Sequence, residues 1–97
     1  MGLFVVHHRH EASRCPARDP LAAQMLLKHL SSAKNFGLMI HGEAVVNGAH
    51  TLYMIVNAPE QDNVSRFMQP FAQAGTVEIF PASPCESVVT RGGCDAL

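Results

Sequence analysis

This chain lacks three features, each of which would assign it to a class of protein. It has no apolar run long enough to span a membrane, because the opening apolar stretch at residues 3–6 turns polar at once. It has no secretory signal pattern, since no small-residue cleavage site follows that short stretch. Basic residues are not concentrated anywhere, and the net charge is −1. We therefore expect a cytoplasmic protein that binds neither membrane nor nucleic acid.

The chain also lacks a disulfide framework. Its three cysteines, Cys15, Cys85 and Cys94, are odd in number and widely spaced. Reduced thiols are therefore expected, with room for at most one bridge. Low-complexity stretches are absent too, and 97 residues suffice for one small core. The sequence predicts a domain at residues 1–80 and a tail at residues 81–97 that belongs to the same domain.

The first third of the chain predicts a strand, a loop and a helix. Residues 3–8 predict a strand, because they open with a short run of Leu, Phe and Val that is typical of a strand buried on both faces. The polar residues 9–18 predict a long loop, and loops of this length are often functional. Asp19 and the proline after it form a helix start, which predicts a helix over residues 21–35. Gly37 then suits the left-handed residue that ends the helix.

The rest of the chain alternates strands with one helix. Asn47 and Gly48 predict a tight hairpin, because both residues tolerate positive φ. Pro70 falls near the end of the second helix and predicts a kink or stop there. The predicted elements are strands at residues 38–46, 51–56 and 76–80, a helix opened by residues 57–60, and either a plain tail or a short fifth strand at residues 86–90.

This order of elements predicts an α+β fold. Strand, helix, strand, strand, helix, strand is the order of a ferredoxin-like βαββαβ domain. Such a domain has a four-stranded antiparallel sheet in the order 4-1-3-2 and both helices on one face. The other face would stay bare, although residues such as Tyr53 and Ile55 make it largely apolar. A second copy of the chain is the simplest cover for it. We therefore expect a homodimer formed through the open sheet face.

The most distinctive stretch lies where the first strand meets the loop. His8 and His10 alternate there, and Cys15 follows five residues later. In the predicted sheet the end of the first strand lies beside the start of the third, which His50 precedes. Imidazole and thiolate together suit zinc, copper or nickel. We predict a metal site formed by His8, His10, Cys15 and His50, with Glu11 as a further ligand or an orienting group and with no organic cofactor.

The element order over roughly residues 3 to 80 resembles the dimeric α/β-barrel superfamily. Its small bacterial members include cofactor-free monooxygenases, muconolactone-isomerase-like proteins and small nickel-binding proteins. The histidine-rich first strand and the open loop look most like the metal-binding members. The resemblance implies a small homodimer whose function is either metal binding or a small-molecule reaction.

Two functions therefore stay open, and the sequence does not decide whether the protein is an enzyme. The first is a homodimeric transition-metal-binding protein for storage, trafficking or sensing, whose metal a His8→Ala, His10→Ala double variant would lose. The second is a small dimeric-barrel enzyme of the monooxygenase or isomerase type, in which His41 and Tyr53, with His8 as a further candidate, line a cavity between sheet and helices. Histidine suits base catalysis because its pKa lies near neutral pH. That function requires a deep, largely apolar cavity.

Overall fold

The computed structural model describes residues 2–95, which form an antiparallel sheet with helices packed on one face. The strands are β1 (Gly2–His10), β2 (Met39–Val46), β3 (Thr51–Ala58) and β4 (Gly75–Ala82). The helices are α1 (Pro20–Ser31), α2 (Gln61–Phe67), α3 (Gln69–Ala72) and α4 (Cys85–Arg91), and short 3-10 turns cover Ala12–Arg14, Pro16–Arg18 and Ala33–Phe36. The sheet order is β2-β3-β1-β4. This is the predicted 4-1-3-2 order read from the other edge.

The core lies between the helices and one face of the sheet. Side chains alternate along a strand, so β1 and β3 each send every second residue toward the helices. The opposite face of β1 is only half-buried by residues 2–95 themselves. Burial of the first strand on both faces therefore stays a prediction that requires a second copy of the chain. The largest fully buried side chains are Phe67, Met54, Met68, Val6, Val56 and Val64.

Helix α1 begins as predicted and ends early. The Asp19 carboxylate accepts a hydrogen bond of 3.1 Å from the backbone N–H of Leu21, which caps the helix. The helix stops at Ser31, where the serine hydroxyls bond to carbonyls of the preceding turn: Ser31 to Lys28 at 2.7 Å and Ser32 to His29 at 2.6 Å. Such bonds compete with the helical backbone pattern. The chain then continues as a 3-10 turn, so the single helix predicted over residues 21–35 is shorter.

Both central strands are longer than predicted. β1 continues to His10, which shortens the predicted loop at residues 9–18, and the rest of that loop folds into two 3-10 turns. β3 continues to Ala58, so the second helix begins only after Glu60. The hairpin at Asn47 and Gly48 is confirmed, with Gly48 at a φ of 75°. The end of β1 pairs with a neighbouring strand on each side. This pairing keeps its polar residues in the strand, although their polarity alone favours a loop.

The second helical segment is interrupted as predicted. α2 ends at Phe67, and α3 restarts at Gln69 with Pro70 in its first turn. Proline has no N–H to donate to the preceding turn, which accounts for the break. Phe67, Met68 and Phe71 nevertheless stay buried on the same side. The kink therefore preserves the apolar stripe that packs on the sheet.

The predicted fifth strand is wrong, because Cys85–Arg91 forms helix α4. Its β-branched residues favour a strand, but the local signals at its ends favour a helix. Glu86 lies in the first turn, Arg91 lies in the last turn, and Gly92 ends the helix at a φ of 90°. The two charges complement the helix dipole, and glycine adopts the left-handed conformation without strain.

None of the helices between residues 2 and 95 has the length and apolar character required to cross a bilayer.

Candidate metal centre

The site begins with His10, the last residue of β1. Alternation along the strand places Phe4, Val6, His8 and His10 on the helix side, where all four are buried. His10 pairs with Gly75, the first residue of β4. A Cβ at Gly75 would lie 2.0 Å from the Arg9 carbonyl oxygen and 2.8 Å from the His10 Cα. Glycine therefore allows β4 to approach the site closely.

His50 comes from the neighbouring hairpin. It has a φ of 49°, and within residues 2–95 it is the one non-glycine residue in the left-handed region. Histidine adopts that conformation more readily than β-branched residues do. The backbone N–H of His10 donates to the His50 carbonyl at 3.1 Å, and the two ring centroids lie 5.2 Å apart. The hairpin therefore holds the His50 ring against His10, as the predicted strand order requires.

Cys15 reaches the same place from the loop after β1. It lies between the two 3-10 turns, its N–H donating to the Ala12 carbonyl at 3.3 Å and its carbonyl accepting from the Arg18 N–H at 3.2 Å. These turns bring the chain back toward the end of β1. The Cys15 thiol is only partly exposed. One potential ligand atom from each of His10, Cys15 and His50 lies within 4.8 Å of the other two.

This spacing suits a transition-metal ion. With Zn–N of about 2.0 Å and Zn–S of about 2.3 Å, tetrahedral ligand atoms lie about 3.3–3.7 Å apart, so the group would close by about 1 Å on binding. Two imidazoles and one thiolate are donors that zinc, copper and nickel accept. Beside the group is a cavity of about 250 Å³, whose wall includes Leu26, Val45 and Val46. A fourth ligand has room there.

His10 is the electrostatically distinctive member of the group. Its side chain is buried, and within residues 2–95 its Nδ1 and Nε2 are the buried side-chain nitrogen and oxygen atoms that have no hydrogen-bond partner. Burial lowers the pKa of His10 below its ordinary value, and the neighbouring His8 and His50 lower it further. The ring is therefore neutral at neutral pH, which is the form that binds metals.

The structure does not bring His8 into this group. Its Nδ1–H donates to the Thr76 carbonyl at 2.9 Å, and its ring stacks behind that of His10 at a centroid distance of 5.5 Å. Burial lowers the pKa of His8, an effect that the hydrogen bond to Thr76 opposes and that His7 adds to. Three of the four predicted ligands, His10, Cys15 and His50, therefore lie together. The fourth, His8, packs against the His10 ring. Glu11 is exposed and is not part of the group.

The residues predicted for catalysis lie on the other face of the sheet. His41 is exposed on β2 and donates from Nε2 to the Asn57 side chain. Tyr53 is also exposed, and its ring lies 5.0 Å from that of His7, which donates to Glu78 at 3.1 Å. This is the open face, and neither His41 nor Tyr53 lines the larger cavity beside α1 or the small cavity beside the metal group. The structure therefore does not place His41 and Tyr53 in a cavity wall.

Neither of the remaining cysteines belongs to the metal group. Cys85 follows β4, whose last residue Ala82 pairs with Leu3 at the start of β1. The metal group lies at the opposite end of β1. Cys85 and Cys94 are exposed, free thiols.

Val45 and Val46 line the small cavity and are the site residues that were not predicted from the sequence. The signal for them is a valine pair directly before the hairpin turn.

Comparison with known proteins assigns no family to this chain. No protein-family model, no curated protein and no solved structure matches it. The resemblance to the dimeric α/β-barrel superfamily therefore stays a prediction from the order of the elements, and the chemistry of the site rests on His10, Cys15 and His50.

Proposed function

We propose that this chain binds one transition-metal ion through His10, Cys15 and His50. The observation that carries the proposal is the His10 ring, which is buried with both nitrogens unpaired beside a thiol and a second imidazole. A buried polar group without a partner costs free energy. A metal ion bound to one of the His10 nitrogens would supply the missing partner and remove part of this cost. Zinc, copper and nickel all fit this donor set.

The role that fits this site best is metal storage, trafficking or sensing. Cys15 and His50 are partly exposed, and the small cavity beside them leaves a coordination position for an exchangeable ligand. An open site can pass its metal on, whereas a closed structural site holds it. Base catalysis by His41 and Tyr53 has less support, because those side chains lie on the sheet face away from the helices.

We further propose a ferredoxin-like domain that pairs with a second copy through its open sheet face, as the dimeric α/β-barrel superfamily does. The element order and the strand order support this assignment. Large apolar side chains also remain exposed on that face: Met39 at 59%, Tyr53 at 46%, Ile55 at 47% and Phe80 at 48%. Contiguous apolar surface of this kind is usually covered. We place the protein in the cytoplasm, where a thiolate ligand stays reduced.

The metal proposal is tested by native mass spectrometry of untagged protein dialysed against Zn²⁺, Ni²⁺ or Cu⁺. We expect one ion per chain for at least one of these metals. His50→Asn should abolish this binding, because asparagine accepts the left-handed conformation and removes only the ligand. Cys15→Ser should weaken it strongly, and His41→Gln is the matched control that should keep it. Equal binding by the wild type and His50→Asn would contradict the proposed ligand set.

The dimer proposal is tested by light scattering coupled to size-exclusion chromatography. We expect a dimer that Ile55→Lys converts to a monomer, because a charge would be buried in the centre of an isologous interface. Leu27→Lys is the control, since Leu27 is also an exposed, large apolar residue but lies on α1. A monomeric wild type, or a dimer that only Leu27→Lys disrupts, would rule out pairing through the sheet face.

A further inference from the structure

A second, larger cavity lies between α1, α3 and the end of β1. Its volume is about 600 Å³, which falls within the range of small-molecule sites. The wall is mostly apolar, and its main apolar contributors are Ala22, Met25, Leu26, Pro70, Phe71 and Ala74. The metal group is not part of this wall.

Helix α1 leaves this space open. None of its residues is fully buried, and Met25 remains 64% exposed although it lines the cavity. An amphipathic helix normally buries its apolar stripe against the core. Leu26 and Leu30 pack partly against the core, but Met25 faces a space that the side chains of residues 2–95 do not fill. A ligand in this cavity would bury the apolar residues of α1 that the domain's own core leaves exposed.

The polar groups of the wall indicate the charge of that ligand. Arg14 and Lys28 contribute to the wall, whereas none of the described residues that line it is acidic. Arg14 donates one hydrogen bond to the Gln73 carbonyl at 3.2 Å, which holds its side chain at the cavity. A guanidinium has further N–H groups to donate. The cavity therefore combines an apolar body with two cations, which is complementary to an apolar molecule that carries one negative charge.

Two histidines in the wall add fixed polar contacts. His8 donates from Nδ1 to the Thr76 carbonyl at 2.9 Å, and the His29 Nε2 donates to the Phe67 carbonyl at 2.7 Å. Each bond uses one of the two ring nitrogens. The second nitrogen of each ring, Nε2 of His8 and Nδ1 of His29, then remains for a hydrogen bond with a polar group of a ligand.

We propose that this cavity is a binding site for a small apolar organic anion, such as an aromatic carboxylate. The ring of the ligand lies against Met25, Leu26 and Phe71, and its anionic group meets Arg14 and Lys28. The proposal rests on the cavity and its charges alone, so it does not require the metal site. The two sites are neighbours nevertheless, because Pro16 and Leu26 line both cavities.

The test uses 2-naphthoate as the probe and 2-naphthamide as its neutral counterpart, with binding to the full chain measured by isothermal titration calorimetry. Charge-assisted hydrogen bonds are about twice as strong as neutral ones, so we expect 2-naphthoate to bind one per chain and roughly five- to tenfold more tightly than 2-naphthamide. The Arg14→Gln, Lys28→Gln double variant should lose this preference. Lys34→Gln, which changes an exposed lysine outside the wall, should keep it.

A variant that fills the cavity tests its location. Ala22→Trp places an indole in the space beside Met25 and should abolish binding of 2-naphthoate. Gln24→Trp adds the same group on the exposed side of α1 and should leave binding unchanged. Circular dichroism and the metal stoichiometry of both variants report whether the fold is intact. The charge variants and the probe comparison still decide the proposal if Ala22→Trp does not fold.

Three results would overturn the proposal. They are no saturable binding of 2-naphthoate to the wild type, no difference in affinity between the acid and the amide or no loss of that difference in the Arg14→Gln, Lys28→Gln double variant, and unchanged binding by a folded Ala22→Trp variant. Loss of metal binding with retention of 2-naphthoate would count against the metal site only.

Discussion

Replacing His10 by leucine should stabilise the metal-free protein while abolishing its response to metal. The His10 ring is buried, and neither of its nitrogens has a partner. A buried unsatisfied polar group costs about 1–3 kcal/mol, and leucine fills a similar volume without that cost. His10→Leu should therefore raise the free energy of unfolding in EDTA by about 1–3 kcal/mol, a rise in Tm of about 4–8 °C for each kcal/mol in a domain of this size.

Metal should cancel or reverse this difference in stability. A ligand at 100 times its Kd stabilises the state that binds it by about 2.7 kcal/mol. The wild type should gain about that amount when the metal is added at this excess, whereas His10→Leu should gain nothing. Urea denaturation with EDTA and with metal measures both effects. His7→Leu is the matched control, because His7 lies on the same strand but donates its Nδ1–H to Glu78; it should keep the metal response. A His10→Leu variant that is less stable than the wild type in EDTA would refute this reasoning.

Two further predictions concern the metal-free fold and its backbone. Burial lowers the pKa of His8 and His10 below the ordinary 6.5, so the unfolded chain binds more protons and stability should fall as the pH drops below that value; a urea midpoint that rises on acidification would contradict this. Gly75→Ala should strongly lower the urea midpoint, because its Cβ would lie 2.0 Å from the Arg9 carbonyl oxygen, whereas Gly42→Ala meets no atom within 4 Å. Equal midpoints for the two alanine variants would show that β4 can shift away from β1 at no cost.

The strand order of the sheet and the contact between His10 and His50 could be predicted from the sequence. The hairpin signal at Asn47 and Gly48 and the alternation of strands and helices predict the strand order, and this order predicts that His10 and His50 meet. That prediction depends only on which strands are neighbours. It is insensitive to the errors of a few residues that affect strand ends, such as the extension of β1 to His10.

Other features depend on contacts that the sequence does not show. His8 and His10 share a face and look equivalent as ligands, but the Thr76 carbonyl, 68 residues away, engages the His8 ring. The valines of α4 favour a strand, yet the charges and the glycine at its ends decide for a helix. The large cavity could not be predicted from the sequence either, because the apolar residues of α1 predict packing against the core. How far a helix stands from the sheet depends on the whole fold.

The central claim is that His10, Cys15 and His50 together bind one metal ion. X-ray absorption fine structure of the zinc-loaded, untagged protein tests it most directly, because it counts sulfur and imidazole ligands around the ion. We predict one sulfur at about 2.3 Å and two imidazole nitrogens at about 2.0–2.1 Å, with the remaining position taken by a light atom. A spectrum without sulfur, or with fewer than two imidazole ligands, would contradict the account.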